Sequence, residues 1–161
     1  MITPGERPDL DFTVNAQVDG AARQVPFREL LAGAPTLVSV YMRNNTSACD
    51  RQTASLAAHA AEFERRGWRV VAVSRDTCAS HAKYAAKLGL KFTLVSDPED
   101  RVSRAFDAIV EKSMYGKKYL GPARAAYLLG PDGQVLGVIP KVDAPDHAAQ
   151  ALAAIDAAGA A

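Results

Sequence analysis

Cysteine is scarce in this sequence, which has two cysteines, Cys49 and Cys78, among 161 residues. They are 29 positions apart and form no Cys-x-x-Cys pair. The sequence therefore excludes a disulfide framework and argues against a thiol–disulfide oxidoreductase of the Cys-x-x-Cys type. Unpaired thiols in a reducing compartment are either buried small residues or reactive groups, and at this point both roles are open for Cys49.

The sequence also lacks long apolar runs and an excess of either charge. No apolar run approaches the ~20 residues that span a bilayer, and the first residues, MITPGERPDLDF, show no basic-then-apolar signal pattern. The 19 basic and 18 acidic residues give a net charge of +1 without a basic stripe or an acidic tail. These absences predict a soluble cytoplasmic protein that binds neither nucleic acid nor membranes.

Histidine is equally sparse. The three histidines, His59, His81 and His147, lie far apart and share no ligand spacing with either cysteine. The sequence therefore predicts no metal site and no cofactor. His81, on the predicted helix after Cys78, has two possible roles: a hydrogen bond near the active edge or, as favoured here, a capping or surface histidine.

The order of apolar runs and turn signals predicts an α/β fold. The length predicts one domain spanning residues 1–161. Predicted strands form an N-terminal hairpin in residues 11–26 around the turn VDG, three buried strands (Pro35–Tyr41, Trp68–Ser74 and FTLVSDP) and a late hairpin, RAAYLLGPDGQVLGVIP. Predicted helices are Cys49–Arg66, Ala79–Leu88, DRVSRAFDAI and Asp146–Ala158, and residues 111–123 are predicted to be an irregular basic loop. This order implies a mixed central sheet with helices on both faces.

Cys49 follows the strand Pro35–Tyr41 at the start of a predicted helix, in the stretch YMRNNTSACD. Active groups gather at the carboxyl ends of parallel strands, and a helix N-terminus stabilises a thiolate over a thiol. Thr46 lies three residues earlier, so its hydroxyl can face the sulfur across the first turn. The alternatives are that Cys49 is inert filler and that Thr46 is a simple helix cap.

Beyond these local features, the chain resembles a peroxiredoxin, and within that family the Q or bacterioferritin-comigratory group. That group carries Pro-x-x-x-Thr/Ser-x-x-Cys at this helix, and Thr46 and Cys49 match the spacing. Arg124 in GPARAAYLL falls where the family has its catalytic arginine, and the similarity continues through AVSRDT, KLGLKFTLVSDPE, EKSMYGKKYLG and GPDGQV. The resemblance implies a thioredoxin-like fold and a peroxide-reducing cysteine.

The resemblance assigns roles to three residues. Cys49 would attack the O–O bond and become a sulfenic acid, Thr46 would orient the peroxide, and Arg124 would stabilise the developing charge. An ordinary thiol is already about 3% ionised at pH 7, so complete ionisation gains only about 30-fold in thiolate. Enzymes typically accelerate reactions by about 10⁶-fold or more, so Thr46 and Arg124 should follow Cys49 closely in importance.

The sequence departs from the family pattern at two positions beside the cysteine. Met42 replaces the signature proline; it can still cover the sulfur with apolar surface but does not fix φ, which leaves loop rigidity in question. Gln52 stands where this group often has glutamate and keeps hydrogen-bonding capacity without the carboxylate. Met42 and Gln52 are therefore predicted to form the wall of the active site.

A larger departure concerns the second cysteine. The positions where the family places a resolving cysteine hold Ala54 and Ala85. Cys78 instead begins the following helix, with its sulfur about 10 Å from that of Cys49, given strands ~4.8 Å apart, so a disulfide would require local unwinding. Two mechanisms remain open: Cys78 resolves the sulfenic acid, or an external thiol does.

The resemblance implies a thiol-dependent peroxidase that acts on hydrogen peroxide and organic hydroperoxides. Its partners would be a hydroperoxide substrate and thioredoxin or another thiol reductant, and the protein would be a monomer or weak dimer. The alternative is a redox sensor or binding protein of the same fold in which Met42, Gln52 and the missing second cysteine reflect lost turnover.

Overall fold

A seven-stranded mixed sheet is the centre of the computed structural model, which describes residues 1–18, 20–31 and 33–158. Asp19 of the predicted hairpin turn and residues 159–161 of the predicted domain lie outside the described residues. The strands are β1 Thr13–Val18, β2 Ala21–Pro26, β3 Thr36–Val40, β4 Arg69–Ser74, β5 Thr93–Ser96, β6 Ile109–Met114, β7 Lys117–Pro122, β8 Ala126–Leu129 and β9 Val135–Ile139. The helices are α1 Ser47–Ala58, α2 Ala60–Arg65, α3 Cys78–Leu88, α4 Arg101–Ala105 and α5 His147–Ala157, with 3₁₀ turns at Phe27–Leu31 and Ala144–Asp146.

The strand order is β2-β1-β5-β4-β3-β8-β9. Strands β3, β4 and β5 run parallel, with Leu37 opposite Val70 and Val73 opposite Val95, while the hairpins β1–β2 and β8–β9 join antiparallel. Parallel neighbours bring the loops after β3 and β4 to the same edge of the sheet. The predicted mixed sheet and N-terminal hairpin are therefore confirmed.

Both faces of the sheet are covered. One face buries Leu37 and Leu128 with Leu56 of α1 and Ile155 of α5, and the other buries Val38 and Val71 with Phe27 and Phe106. All five residues of β3 are buried, because side chains on both of its faces meet such clusters. Each large apolar side chain removed from water contributes roughly 1.5–3 kcal/mol, so β3 is held firmly at the centre of the core. Among the described residues, none of the helices is both long and apolar enough to cross a membrane.

The predicted single helix Cys49–Arg66 is wrong in its continuity. The structure begins α1 at Ser47 and interrupts the helix at His59, where φ is −112° and ψ is 14°. The carbonyl of Ser55, which would accept the His59 N–H in a continuous helix, contacts the His59 ring Nδ1 at 3.0 Å instead. The His59 N–H turns to Leu56 O at 3.2 Å, which tightens this turn and separates α1 from α2.

The predicted irregular loop over residues 111–123 is also wrong. Strands β6 and β7 form a separate two-stranded sheet, joined by Tyr115 and Gly116 at φ 53° and 77°. Two successive positive φ values are those of a tight hairpin turn, a signal that the basic composition of the segment hid. The helix predicted over DRVSRAFDAI is correspondingly shorter: α4 ends at Ala105, and Ile109 already belongs to β6.

Candidate active site

Cys49 lies in the first turn of α1, reached from β3 through the loop of residues 41–46. Thr46 is the N-cap, and its carbonyl accepts the first helical bond from Asp50 N at 2.8 Å. The Cys49 side chain is 0% exposed, among Tyr41, Tyr84 and Leu94. The sulfur therefore sits beneath the loop, with the unpaired N–H groups of the helix start beside it.

Opposing effects act on the Cys49 thiol. Burial raises its pKa, while the Thr46 hydroxyl, the backbone N–H groups of Arg43 and Met42 and the charge of Arg124 lower it. The lowering effects win, so the pKa of Cys49 lies below that of an ordinary thiol. The Met42 N–H donates to Sγ at 3.4 Å. The site therefore favours the thiolate although it is buried, which argues against Cys49 as inert filler.

Thr46 keeps its side chain out of helix capping. Its hydroxyl makes no bond to an N–H of α1 and donates instead to the Arg43 carbonyl at 3.2 Å. The interpretation of Thr46 as a side-chain cap is therefore wrong. The hydroxyl also lies close enough to the sulfur to lower the pKa of Cys49.

Arg124 reaches the site from the segment between β7 and β8. Its Nη1 donates to Oε1 of the fully buried Gln52 at 2.9 Å, and Gln52 Nε2 donates to Ser39 Oγ at 2.9 Å and to Val40 O at 3.2 Å. The Val40 carbonyl requires a donor, so the amide orientation is set and Oε1 must face Arg124. Gln52 thus holds Arg124 in place through a neutral acceptor.

Side chains of α3, of Asp76 just before it and of Tyr41 hold the loop that lacks the signature proline. The Asn44 N–H donates to Asp76 Oδ2 at 2.9 Å, its Nδ2 donates to Ser80 Oγ at 3.0 Å and contacts His81 Nδ1 at 3.2 Å, and Tyr41 OH donates to its Oδ1 at 2.5 Å. Asn45, at φ 63°, accepts from Lys87 Nζ at 2.7 Å. Hydrogen bonds therefore supply restraint that a proline ring would otherwise give.

His81 contacts the active-site loop, which was the less favoured of its two possible roles. It is fully buried, and its Nε2 contacts Val95 O at 3.0 Å, so the interpretation as a capping or surface histidine is wrong. Nε2 must carry the proton to meet a carbonyl, which leaves Nδ1 to accept from Asn44.

A cavity of about 640 Å³ opens beside the loop. Met42, Thr46 and Arg124 line one part of it, and Met114 and Tyr119 of the β6–β7 hairpin form an apolar wall. Lys112 Nζ lies 2.7 Å from Met42 Sδ, and the pKa of Lys112 is lowered by its burial and by Arg124 and Arg75. Tyr115, at the tip of the hairpin, is 98% exposed and is not part of this lining.

Cys78 is the first residue of α3, behind the N-cap Thr77. It lines a groove of about 420 Å³ with Gln24, Ser96 and Pro98, and this lining shares no described residue with the cavity beside Thr46. Burial raises the pKa of Cys78, opposite to the shift at Cys49. The structure thus gives the two thiols different surroundings and different acidities.

Met42→Pro is expected to shift Cys49 reactivity to higher pH, because proline has no N–H to donate to Sγ. With its pKa lowered, Cys49 should react with iodoacetamide well below the pH at which an ordinary thiol does. In Met42→Pro the alkylation rate at pH 6 should fall about three- to ten-fold. Peptide mass spectrometry of the Cys49 peptide across pH measures it. Met42→Leu, which keeps the N–H, is the matched control, and equal shifts in both variants would contradict the role of this donor.

The chain is similar to known proteins in sequence and in fold. The sequence matches the AhpC/TSA family over residues 7–138. It is 40% identical over 126 residues to Peroxiredoxin Bcp of Xanthomonas campestris, covering 78% of this chain and 79% of that protein. The fold superposes on Xanthomonas campestris Peroxiredoxin Q with a TM-score of 0.85 at 36% identity, covering 96% and 97% of the two chains. It also matches Peroxidoxin BcpB of Mycobacterium tuberculosis with a TM-score of 0.79 at 27% identity over 98% of each chain.

The thioredoxin-like sheet and the activated cysteine after its central strand define the class of thiol-dependent peroxidases. The chain belongs to the AhpC/TSA family, in which its relatives are peroxiredoxins. It is a peroxidase that works through a cysteine, and the resemblance seen in the sequence is confirmed.

Proposed function

We propose that Cys49 is the peroxidatic cysteine, with Thr46 and Arg124 as its catalytic partners and Met42 and Gln52 as the wall of the active site. The observation that carries this assignment is the Cys49 sulfur itself: it is buried, yet its pKa is lowered by groups that converge on it from the loop and from Arg124. Burial raises the pKa of Cys78, and within the described part of the chain no group is found to lower it.

The reaction follows from this arrangement. The Cys49 thiolate attacks the terminal oxygen of ROOH, the S–O bond forms as the O–O bond breaks, and the electron pair leaves with RO⁻, which takes a proton to become ROH. The sulfur is oxidised to sulfenic acid and the peroxide is reduced. Thr46 donates to the peroxide, while Arg124 stabilises the charge that develops on the leaving oxygen. Gln52 keeps the guanidinium aimed at this position.

The substrates we propose are hydrogen peroxide and organic hydroperoxides. A further structural relative is a trapped intermediate/ligand complex of the Xanthomonas campestris bacterioferritin comigratory protein, studied for its alkyl peroxide reduction activity, with a TM-score of 0.85 at 35% identity. The apolar side chains of Met42, Met114 and Tyr119 in the cavity wall suit an alkyl group. We further propose thioredoxin or another thiol as reductant, a cytoplasmic location and a monomer or weak dimer.

The experiment that tests the assignment of Cys49 is a single-turnover oxidation. The protein is mixed with one equivalent of peroxide and then with dimedone, which adds only to sulfenic acids, and the peptides are separated by mass spectrometry. We expect the adduct on the Cys49 peptide and not on the Cys78 peptide. Adduct on Cys78 alone would assign the reactive cysteine differently.

An external thiol is expected to reduce the Cys49 sulfenic acid. Attack by Cys78 would form a disulfide and release water, but its raised pKa leaves Cys78 protonated near neutral pH. The bonds from Asn44 to Ser80 and from Tyr84 to Asp50 tie the two helix starts into their present positions. In non-reducing mass spectrometry after one equivalent of peroxide we expect the mass of one added oxygen and a free Cys78. Loss of two hydrogens, abolished in Cys78→Ser, would establish the intramolecular disulfide instead.

A further inference from the structure

A line of buried polar groups runs from Arg124 through the core to helix α5. After Gln52, which accepts from Arg124 and donates to Ser39 Oγ, the line continues from Ser39 Oγ to His147 Nε2 at 2.8 Å. Ser39 is 1% exposed, and Gln52 and His147 are 0% exposed. The reaction proposed above uses neither Ser39 nor His147.

The proton positions along this line follow from the number of donors. Gln52 Nε2 gives one hydrogen to Ser39 Oγ, so the Ser39 hydroxyl has its own hydrogen left to give to His147 Nε2. His147 then carries its proton on Nδ1, for which no partner is found among the described residues. The opposite tautomer would leave both Nδ1 and the Ser39 hydrogen without partners, and is therefore less favourable.

His147 is held in the neutral form. Burial lowers its pKa to about 4, against a smaller opposite effect of the Gln150 side chain. A neutral ring can therefore accept a hydrogen bond at Nε2 at neutral pH. The direction of donation, from Gln52 to Ser39 to His147, is therefore the same throughout.

A contribution to the stability of the fold does not by itself explain why these polar groups are buried. Replacing buried polar partners with apolar groups of similar shape is often neutral or stabilising. Ser39 and His147 add to the effect of the Val40 carbonyl on the Gln52 amide. Because the Ser39 hydroxyl gives its hydrogen to His147, its oxygen accepts from Gln52 Nε2, which keeps Oε1 turned toward Arg124.

We propose that Ser39 and His147 are positioning residues for peroxide reduction, acting through Gln52 to aim the Arg124 guanidinium. The proposal rests on the assignment of Cys49 and Arg124 above and adds two residues to it. His147 belongs to α5, near the end of the chain, so the C-terminal helix takes part in setting the active-site geometry.

The test distinguishes an effect on the position of the Arg124 guanidinium from an effect on the ionisation of the Cys49 thiol. His147→Leu removes the acceptor, and His147→Gln keeps one at about the position of Nε2. Two rates are measured for each variant: reaction with peroxide by stopped flow, and alkylation of Cys49 by iodoacetamide, which needs no stabilised leaving oxygen. Removing an oxyanion-stabilising donor outright lowers rates about 10²–10³-fold, so misaiming it in His147→Leu should lower the peroxide rate about ten-fold. Alkylation should change less than about two-fold, because thiolate formation depends mainly on other groups, and His147→Gln should recover most of the peroxide rate.

A double-mutant cycle tests the path. In a Gln52→Leu background the line is already broken, so adding His147→Leu should lower the peroxide rate no further. Ser39→Ala removes the direct partner of Gln52 as well as the link to His147, so it should lower the peroxide rate at least as much as His147→Leu, and it decides the question if His147→Leu fails to fold. Equal losses in both rates, or additive losses in the cycle, would overturn the proposal. Failure of the proposed function looks different, because Cys49→Ser would then consume peroxide as the unmodified protein does.

Discussion

Replacing Cys49 with serine is expected to remove peroxide reduction, with a loss of at least about a thousand-fold in the rate of peroxide consumption with thioredoxin or a small thiol as reductant. Enzymes typically accelerate reactions by about 10⁶-fold or more, and the whole acceleration proposed here requires the Cys49 sulfur as nucleophile. A serine hydroxyl ionises far less readily than the Cys49 thiol, and it is not oxidised by peroxide. The fold should survive, because serine is close in size and its oxygen can accept from the Met42 N–H in place of Sγ.

The matched control is Cys78→Ser. It makes the same chemical change at the other thiol and is expected to leave consumption with a small thiol within about two-fold, as surface substitutions away from a site usually do. Circular dichroism of both variants checks that the fold is retained. Unchanged peroxide consumption in Cys49→Ser would refute the central assignment, and a loss confined to Cys78→Ser would transfer it to the other cysteine.

Arg124→Leu is expected to slow the reaction with peroxide about 10²–10³-fold, the usual loss on removal of a donor that stabilises a developing oxyanion. Arg124 has a smaller effect on the ionisation of Cys49. Its charge lowers the pKa of Cys49 less than the Thr46 hydroxyl and the backbone N–H donors do. Even complete loss of the thiolate advantage is worth only about 30-fold at pH 7. Most of the loss should therefore appear in the chemical step, while alkylation of Cys49 by iodoacetamide slows only a few-fold.

Arg124→Lys separates charge from geometry. Lysine keeps the positive charge but has no planar fork with which to bond to Gln52 and face the peroxide at once. We expect Arg124→Lys to retain the alkylation rate and to recover less than about a tenth of the peroxide rate, given how differently the two groups donate. Full recovery by lysine would show that charge alone matters and that the bond to Gln52 is incidental.

The main elements of the fold were open to prediction because their signals are local. The run PTLVSVY is apolar on both faces, as a strand covered on both sides must be, and it forms β3 at the centre of the sheet. Gly89, at φ 65°, ends α3 as a left-handed residue should. The signals failed where a side chain competes with the backbone, as His59 does at the end of α1, and where a Tyr-Gly turn joins strands too polar to show an apolar face.

The sequence by itself determined the family of this protein, because the resemblance to peroxiredoxins extends over nearly the whole chain and includes the positions of Thr46, Cys49 and Arg124. Only the tertiary structure decided which residues hold the active-site loop and Arg124 in position. Asn44 and His81 restrain the loop where proline is missing, and Gln52 links Arg124 to Ser39 and His147. The physical reason is that spacing along the chain reports a local turn. A buried polar group is satisfied by whatever partner the packed core brings within about 3 Å, and residues 108 positions apart, such as Ser39 and His147, meet only there.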